Sequence, residues 1–406
     1  MPVLHPLLRP AAIRAPPLAL PTACGRGCID ERRRKKKRCV RVPAAAATGG
    51  HIEVSFAVAD PPALTRCIVH CPELTPDDFL EETPTVTGAD GAFHLIRVIF
   101  PRRSGASSSS DVFVYTAGPG NPSLQLLPPP NTYGRYGLVS SSVGVLSCGD
   151  YCLVVVPIRR FDADTCMMKY DLHVFSGKTA SWSTKAASFA PTKVFSVDGG
   201  SLAWVDLRYG ILLCNSLLED VPELRLIQLP PLMRTNKKNF HICFDGDLPQ
   251  LDLIRDVTFT NGSFRFIEME YPEFDVDDTE LNFRWTVTTF RIMVGSEEWE
   301  PEPLCTVDSA DLSPADSCFP GLFPEIWDCK ENKLLNRVMC SNPTLDMYRD
   351  DVVYMISKTD AYVPNRWVLA VNAKSKELEK VLPFSAQRLY CEPYRQCSFS
   401  KHLRKA

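Results

Sequence analysis

The stretch Val194–Pro231, VFSVDGGSLAWVDLRYGILLCNSLLEDVPELRLIQLPP, decides the fold. Asp198-Gly199-Gly200 leads into Ser201–Asp206 (SLAWVD), and Tyr209-Gly210 leads into Ile211–Cys214. Leu229-Pro230-Pro231 then stops the chain. Strand-length apolar runs joined by glycine turns and closed by proline describe a small antiparallel β-meander. The stretch exposes no reactive group, so it speaks to architecture and not to chemistry.

Working outward, the same punctuation recurs. Phe93–Phe100, Val112–Tyr115, Leu138–Val145, Tyr151–Ile158, Leu172–Phe175, Val352–Ile356 and Trp367–Val371 are short and apolar or alternating. Asn261-Gly262 between Val257–Thr260 and Ser263–Met269 is a second strong hairpin signal. The segments DLHVFSGKTASWS (Asp171–Ser183), TTFRIMVGSEEWEP (Thr288–Pro301) and RWVLAVNAKSKELEKVLP (Arg366–Pro383) share one plan: alternating strand, Gly or Asn turn, second element. Prolines close units at Leu127–Pro130, Leu229–Pro231 and Leu382-Pro383. The expected fold is all-β, a β-propeller-like array of short antiparallel meanders with a disordered basic N-terminal tail. An array of two-sheet sandwiches is the competing architecture. Only Thr75–Glu82 and Ser375–Val381 resemble helices, the latter equally a hairpin arm.

Composition agrees. The chain has 406 residues, 45% hydrophobic and 23% charged, with 34 prolines against 21 glycines. That density of proline argues for short strands and against long helices. The net charge of −3 hides an asymmetry: residues 1–50 carry 11 basic and 2 acidic side chains, leaving 34 basic and 46 acidic in the rest. The expected organisation is a disordered basic leader over 1–50, a propeller-like domain over 51–395 and a flexible C-terminus over 396–406. The first apolar segment is broken by Pro6, Pro10, Pro16 and Pro17, so no secretory h-region and no membrane span are expected. The 16 cysteines then read as reduced, buried thiols.

The run SVDGGSLAWVDLRYGILLCNSLLEDVPELRLIQLPP resembles the central signature of a plant family, expanded in grasses, known as domain of unknown function 1618. The segment SFAVADPPALTRCIVHCP (Ser55–Pro72) is similar to the opening that precedes that domain. The resemblance implies coverage from about Ile52 to Pro383, and blade-like repeats akin to F-box-associated and kelch-type propellers. It brings no established activity and no catalytic residues. It marks Gly199, Gly200, Trp204, Asp206, Gly210, Cys214 and Pro230 as fold residues.

The search for chemistry returns little. Cys24/Cys28, Cys67/Cys71, Cys148/Cys152 and Cys391/Cys397 lack the spacing of a structural zinc site. No G-x-S-x-G elbow exists, and His94 and His173 sit inside alternating strands as structural histidines. Prolines in Gly118–Pro122 remove the amide donors a phosphate loop needs. The acids Asp275, Asp277, Asp278 and Glu280 read as a solvated loop. No catalytic, cofactor or metal residue is assigned, and no cofactor is expected. Arg32, Arg33, Arg34, Lys35, Lys36, Lys37 and Arg38 form the one segment with functional pull. It fits a nuclear-import signal or a nucleic-acid arm, although residues 1–50 contain no aromatic side chain to stack on bases.

The expectation is therefore a non-enzymatic protein-interaction module, with partners unidentified, in the nucleus or cytoplasm; a chloroplast or mitochondrion is the alternative location. Two other functions stay open. One is a propeller hydrolase with carboxylates converging on the axis, from Asp171, Asp198 or Asp206. The other is a nucleic-acid-associated protein using the basic tail.

Overall fold

A computed structural model of the chain describes residues 42–46, 50–59, 65–72, 84–100, 109–118, 122–129, 143–162, 167–187, 193–197, 200–215, 223–243, 251–273, 282–319, 323–360 and 365–385. Sheet 1 holds three antiparallel strands, β1 (Val42–Ala45), β2 (His51–Ala57) and β3 (Arg66–His70). Sheet 2 is β4 (Thr85–Asp90), β5 (Phe93–Phe100), β6 (Ser109–Thr116) and β7 (Ser123–Leu126). Sheet 3 is β8 (Gly144–Cys148), β9 (Tyr151–Asp162), β10 (Met167–Ser176) and β11 (Ser181–Ala187). Sheet 4 is β12 (Lys193–Val197), β13 (Ser201–Asp206), β14 (Gly210–Asn215) and β15 (Glu223–Gln228).

Helix α1 (Arg234–Cys243) then leads to sheet 5: β16 (Arg255–Thr260), β17 (Ser263–Glu270), β18 (Thr286–Met293) and β19 (Glu300–Asp308). Three two-residue strands follow, β20 (Ser313–Pro314), β21 (Trp327–Asp328) and β22 (Lys333–Leu334); β21 and β22 pair as a hairpin. Sheet 6 is β23 (Met339–Leu345), β24 (Val352–Lys358), β25 (Asn365–Asn372) and β26 (Glu377–Ser385), with β20 added in parallel to β26. Sheets 2 to 5 are strict meanders, each strand beside the next in sequence.

How these sheets stack follows from which residues they bury. In β13 every position is buried. Leu202 and Trp204 face one cluster with Leu153, Val155 and Val174 of sheet 3. Ala203 and Val205 face another with Val257 and Phe264 of sheet 5. Alternate side chains of a strand point to opposite faces, so β13 is covered on both. The rule repeats in β5: Phe93 and Leu95 pack on sheet 3, whereas Ile96, Val98 and Phe100 pack on sheet 1. The apolar clusters are thus seams between successive sheets, 1 with 2, 2 with 3, 3 with 4, and 4 with 5 and 6. Each fully buried aliphatic or aromatic side chain contributes roughly 1.5–3 kcal/mol to such a seam. Successive four-stranded meanders stacked face to face are the all-β, propeller-like array that the sequence led us to expect.

Four local readings need correction. The strand Val42–Ala45 lies inside the segment expected to be a disordered leader, because its backbone pairs with His51–Val54. The first strand of sheet 3 is Gly144–Cys148, displaced toward the C-terminus from the expected Leu138–Val145. Ser375–Val381 is no helix: Ser375 lies in a turn and Glu377 opens β26, in whose interior Pro383 opposes Trp367. Finally, Arg234–Cys243 is an α-helix that polar RTNKKNFHIC does not announce by periodicity. The expected helix Thr75–Glu82 lies outside the described residues.

Candidate functional site

The first strands of sheets 2 to 5 run side by side in one direction. Asp90, the last residue of β4, accepts hydrogen bonds from Ser147 N (2.7 Å) near the end of β8 and from Ser196 Oγ (2.5 Å) near the end of β12. At the opposite end, Lys193 opens β12 and donates to the Asp256 carboxylate and to Val257 O (2.9 Å) of β16. The first turns of these sheets therefore share one end of the array, called here the hairpin end. Sheet 6 follows suit, since Arg265 Nη2, just past the Asn261-Gly262 turn, donates to Asp350 O (2.6 Å) in the β23–β24 turn. Asn261 and Gly262 adopt φ of 49° and 74°, the left-handed pair a two-residue hairpin requires.

The polar groups along these strands are engaged with one another. Arg255 sends Nε (3.0 Å) and Nη2 (2.6 Å) to Glu268 Oε2 and Nη1 to Leu207 O (2.9 Å), and lies over the Phe266 ring. Burial pulls the guanidinium pKa down and Glu268 pushes it back up. The other Glu268 oxygen accepts from Met233 N (3.0 Å) and Asn236 Nδ2 (2.7 Å), and Glu270 accepts from Thr235 N and Oγ1. Two carboxylates of β17 thus meet the amino-terminal N–H groups of α1, the end where the helix dipole favours anions. A second group joins sheets 5 and 6. Glu302 accepts from Arg265 Nε (2.8 Å) and Arg291 Nε (3.0 Å), and Arg291 Nη2 reaches Asp350 (3.3 Å). Burial raises the Glu302 pKa, but hydrogen bonds from both arginines outweigh it and hold the carboxyl below the ordinary range.

Two carboxylates near the start of β16 stand in unlike surroundings. Asp256 faces Lys193, and its Oδ2 is buried without a hydrogen bond to any described residue. Asp252 is raised, first by desolvation and then by the charge of Asp256. Among the described residues, no three His, Cys, Asp or Glu side chains converge to hold a metal ion. No described helix is long and apolar enough to cross a membrane.

The residues singled out from the sequence scatter through the fold. Trp204 is buried between sheets 3 and 4, and Cys214 lies in the same seam. Asp206 ends β13 and accepts from Arg208 N (2.9 Å), a turn role. Gly200 has φ +82°. Gly210 is different: a Cβ there would come within 2.4 Å of Ile227 O, so close passage of β15 and not turn geometry demands the glycine. Pro230 O accepts from Arg255 Nη2 (3.2 Å). Asp171 sits mid-strand in β10, between Ile158 of β9 and Ala186 of β11. Arg32–Arg38, Gly199, Asp198, Asp275, Asp277, Asp278 and Glu280 lie outside the described residues.

Cys67 and Cys71 are unbridged cysteines in the seam of sheets 1 and 2; Cys148 and Cys152 are unbridged as well. His94 is buried, with Nδ1 3.1 Å from Phe93 O and its ring edge-on to Phe56 at 5.4 Å. Desolvation lowers its pKa to about 3. The reading of sequence missed the Arg255–Glu268 pair. Its signal was Glu268 at the parity of Phe264 and Phe266, a charged side chain where the strand pattern calls for an apolar one.

Residues 204–354 match the family model described as Protein of unknown function (DUF1618). The chain carries a DUF1618 domain. The match begins inside β13 and ends inside β24, so it spans sheet 5 and parts of sheets 4 and 6. It covers less than half of the chain, a narrower span than the resemblance implied, and leaves Gly199, Gly200 and Ser55–Pro72 outside. A sequence comparison with curated proteins finds no match. Among solved structures, a Bombyx mori GH32 beta-fructofuranosidase matches at TM-score 0.30 and 11% identity, over 70% of this chain and 59% of that one. A mutant of B. megaterium levansucrase matches at TM-score 0.30 and 8% identity, over 84% of this chain and 87% of that one. Likeness at that level carries no argument about activity; the fold rests on the strand order and seams of this chain itself.

Proposed function

We propose that the DUF1618 domain and the sheets stacked on it form a non-enzymatic protein-interaction scaffold. The observation that carries this reading is a set of large apolar side chains in adjacent turns at the hairpin end. Met293 (52% exposed) and Val294 (44%) lie at the β18–β19 turn, and Tyr348 (55%) lies in the β23–β24 turn. Beneath them Arg265, Arg291, Glu302 and Asp350 tie the two turns together. A rigid platform presenting aromatic and methionine side chains suits protein docking, since such residues dominate binding energy at interfaces. The test is affinity capture with the wild-type chain against Met293→Ser/Val294→Ser/Tyr348→Ser, both shown folded by circular dichroism. Loss of a reproducible partner in the triple variant supports the scaffold; identical capture by both chains rules this surface out.

Asp252 and Asp256 favour a second reading, a hydrolase using two carboxylates near the starts of the first strands. Unlike surroundings are what separates an acid from a base in such enzymes. Hydrolysis of a panel of aryl glycosides that disappears in Asp256→Asn would favour it; no turnover of any panel member would end it.

A further inference from the structure

One margin of sheet 6 carries a pair of cations that neither reading of function uses. Ile356 pairs with Val368, and Ser357 with Trp367, so the antiparallel register sets Lys358 opposite Arg366. Arg366 is only 9% exposed and Lys358 is half-buried. Like charges opposite each other on neighbouring strands repel, so their juxtaposition costs stability. The guanidinium also keeps one donor in reserve: Arg366 Nε is buried and makes no hydrogen bond to any described residue. Met339 of β23 lies beside Lys358, and Phe384 of β26 occupies the register position beside Arg366. One step along the strands, Ile356 (6% exposed) and Val368 (3%) continue the apolar row. Asp360 is the acidic neighbour that acts on Lys358.

We propose that Lys358 and Arg366 form the floor of a binding site for a small oxyanion, a phosphate or carboxylate group, at the margin of sheet 6. The guanidinium edge bearing Nε supplies a planar fork for two oxygens, and the ammonium adds a point charge and three rotatable donors. The apolar row beside them limits competing water and strengthens the attraction. The cost of the juxtaposition shows in the lysine: burial, and then the charge of Arg366, lower its pKa. An anion seated between the two reverses that effect, because it favours the protonated amine.

The full-length protein tests this through the reactivity of Lys358 toward N-hydroxysuccinimidyl acetate at pH 8, followed by peptide mass spectrometry. Without added anion, Lys358 is acylated faster than the exposed Lys330, because more of it is neutral. Inorganic phosphate at ten times its Kd, against sodium chloride of equal ionic strength, slows Lys358 about tenfold and leaves Lys330 unchanged. Formate in a parallel arm distinguishes the source: slowing by phosphate alone marks a phosphate site, and equal slowing marks a carboxylate site. Arg366→Lys keeps part of the protection and Arg366→Gln removes it. Should Arg366→Gln not fold, Lys358→Gln serves instead, by losing the phosphate-dependent rise in Tm of the wild-type chain. Failure of both anions to slow Lys358, or equal slowing of Lys330, overturns the proposal.

Discussion

Arg255 and Glu268 oppose each other across β16 and β17, 2.6 Å apart, with 1% and 0% of their side chains exposed. Removing one partner leaves an uncompensated buried charge, which costs about 3–5 kcal/mol, whereas replacing both with apolar groups is often neutral. Glu268→Ala should therefore lower stability by that amount in urea titrations. It should also loosen α1, whose Met233 N and Asn236 rest on the same carboxylate. Arg255→Met with Glu268→Leu should recover most of the loss in the pair's share while leaving α1 loosened. Equal stability of Glu268→Ala and wild type would refute this account.

His94 makes stability depend on acid. Its folded pKa of about 3 lies below the ordinary 6.5, so the unfolded chain binds the extra proton first. Stability therefore rises with pH between those values and is lost as pH falls from 6.5 toward 3. At about 1.4 kcal/mol per pH unit, the loss attributable to His94 by pH 4 is roughly 3 kcal/mol. Denaturant titrations from pH 7 to pH 4 should show that slope, flattened in His94→Phe.

Gly210 and Gly200 separate two reasons for a glycine. A Cβ at Gly210 meets the Ile227 carbonyl at 2.4 Å, and backbone cannot yield as a side-chain tip can. Gly210→Ala should cost about 1–3 kcal/mol, as overpacking does. Gly200 has open space and φ +82°, so Gly200→Ala costs only the strain of a left-handed residue, about 1 kcal/mol. Thermal melts that rank the two in the reverse order would contradict this geometry.

Thiol chemistry should sort by position. Burial raises Cys67, Cys152 and Cys340 to about 12, so their thiolate is scarce at neutral pH. Cys329 is exposed at the β21–β22 turn. With a maleimide at pH 7, peptide mapping should find Cys329 labelled rapidly and those three protected until denaturant is added. Rapid labelling of Cys152 in the folded chain would contradict the seam that buries it.

Much of the architecture was legible because it is written in turns. Asn261-Gly262 and Tyr209-Gly210 each mark a hairpin where the chain makes one. Strands buried on both faces, such as β13, read as unbroken apolar runs and were found for that reason. Helix α1 was not legible: its place is set by Glu268 and Glu270, which are distant in sequence, and not by its own periodicity. The site was less legible still. Met293, Val294 and Tyr348 come together only through the stacking of two sheets, and Lys358 meets Arg366 only through strand register.

The carboxylate of Asp90 also says something about how the molecule is made. Its hydrogen-bond partners lie 57 and 106 residues further along the chain. During synthesis from the N-terminus, that carboxylate must stay hydrated until three sheets have emerged, and only then does it dock against both serines. The hairpin end of sheets 2 to 4 is consequently a late event of assembly, and a ribosome stalled before Ser196 would hold a chain whose second sheet is paired but whose tip is still loose.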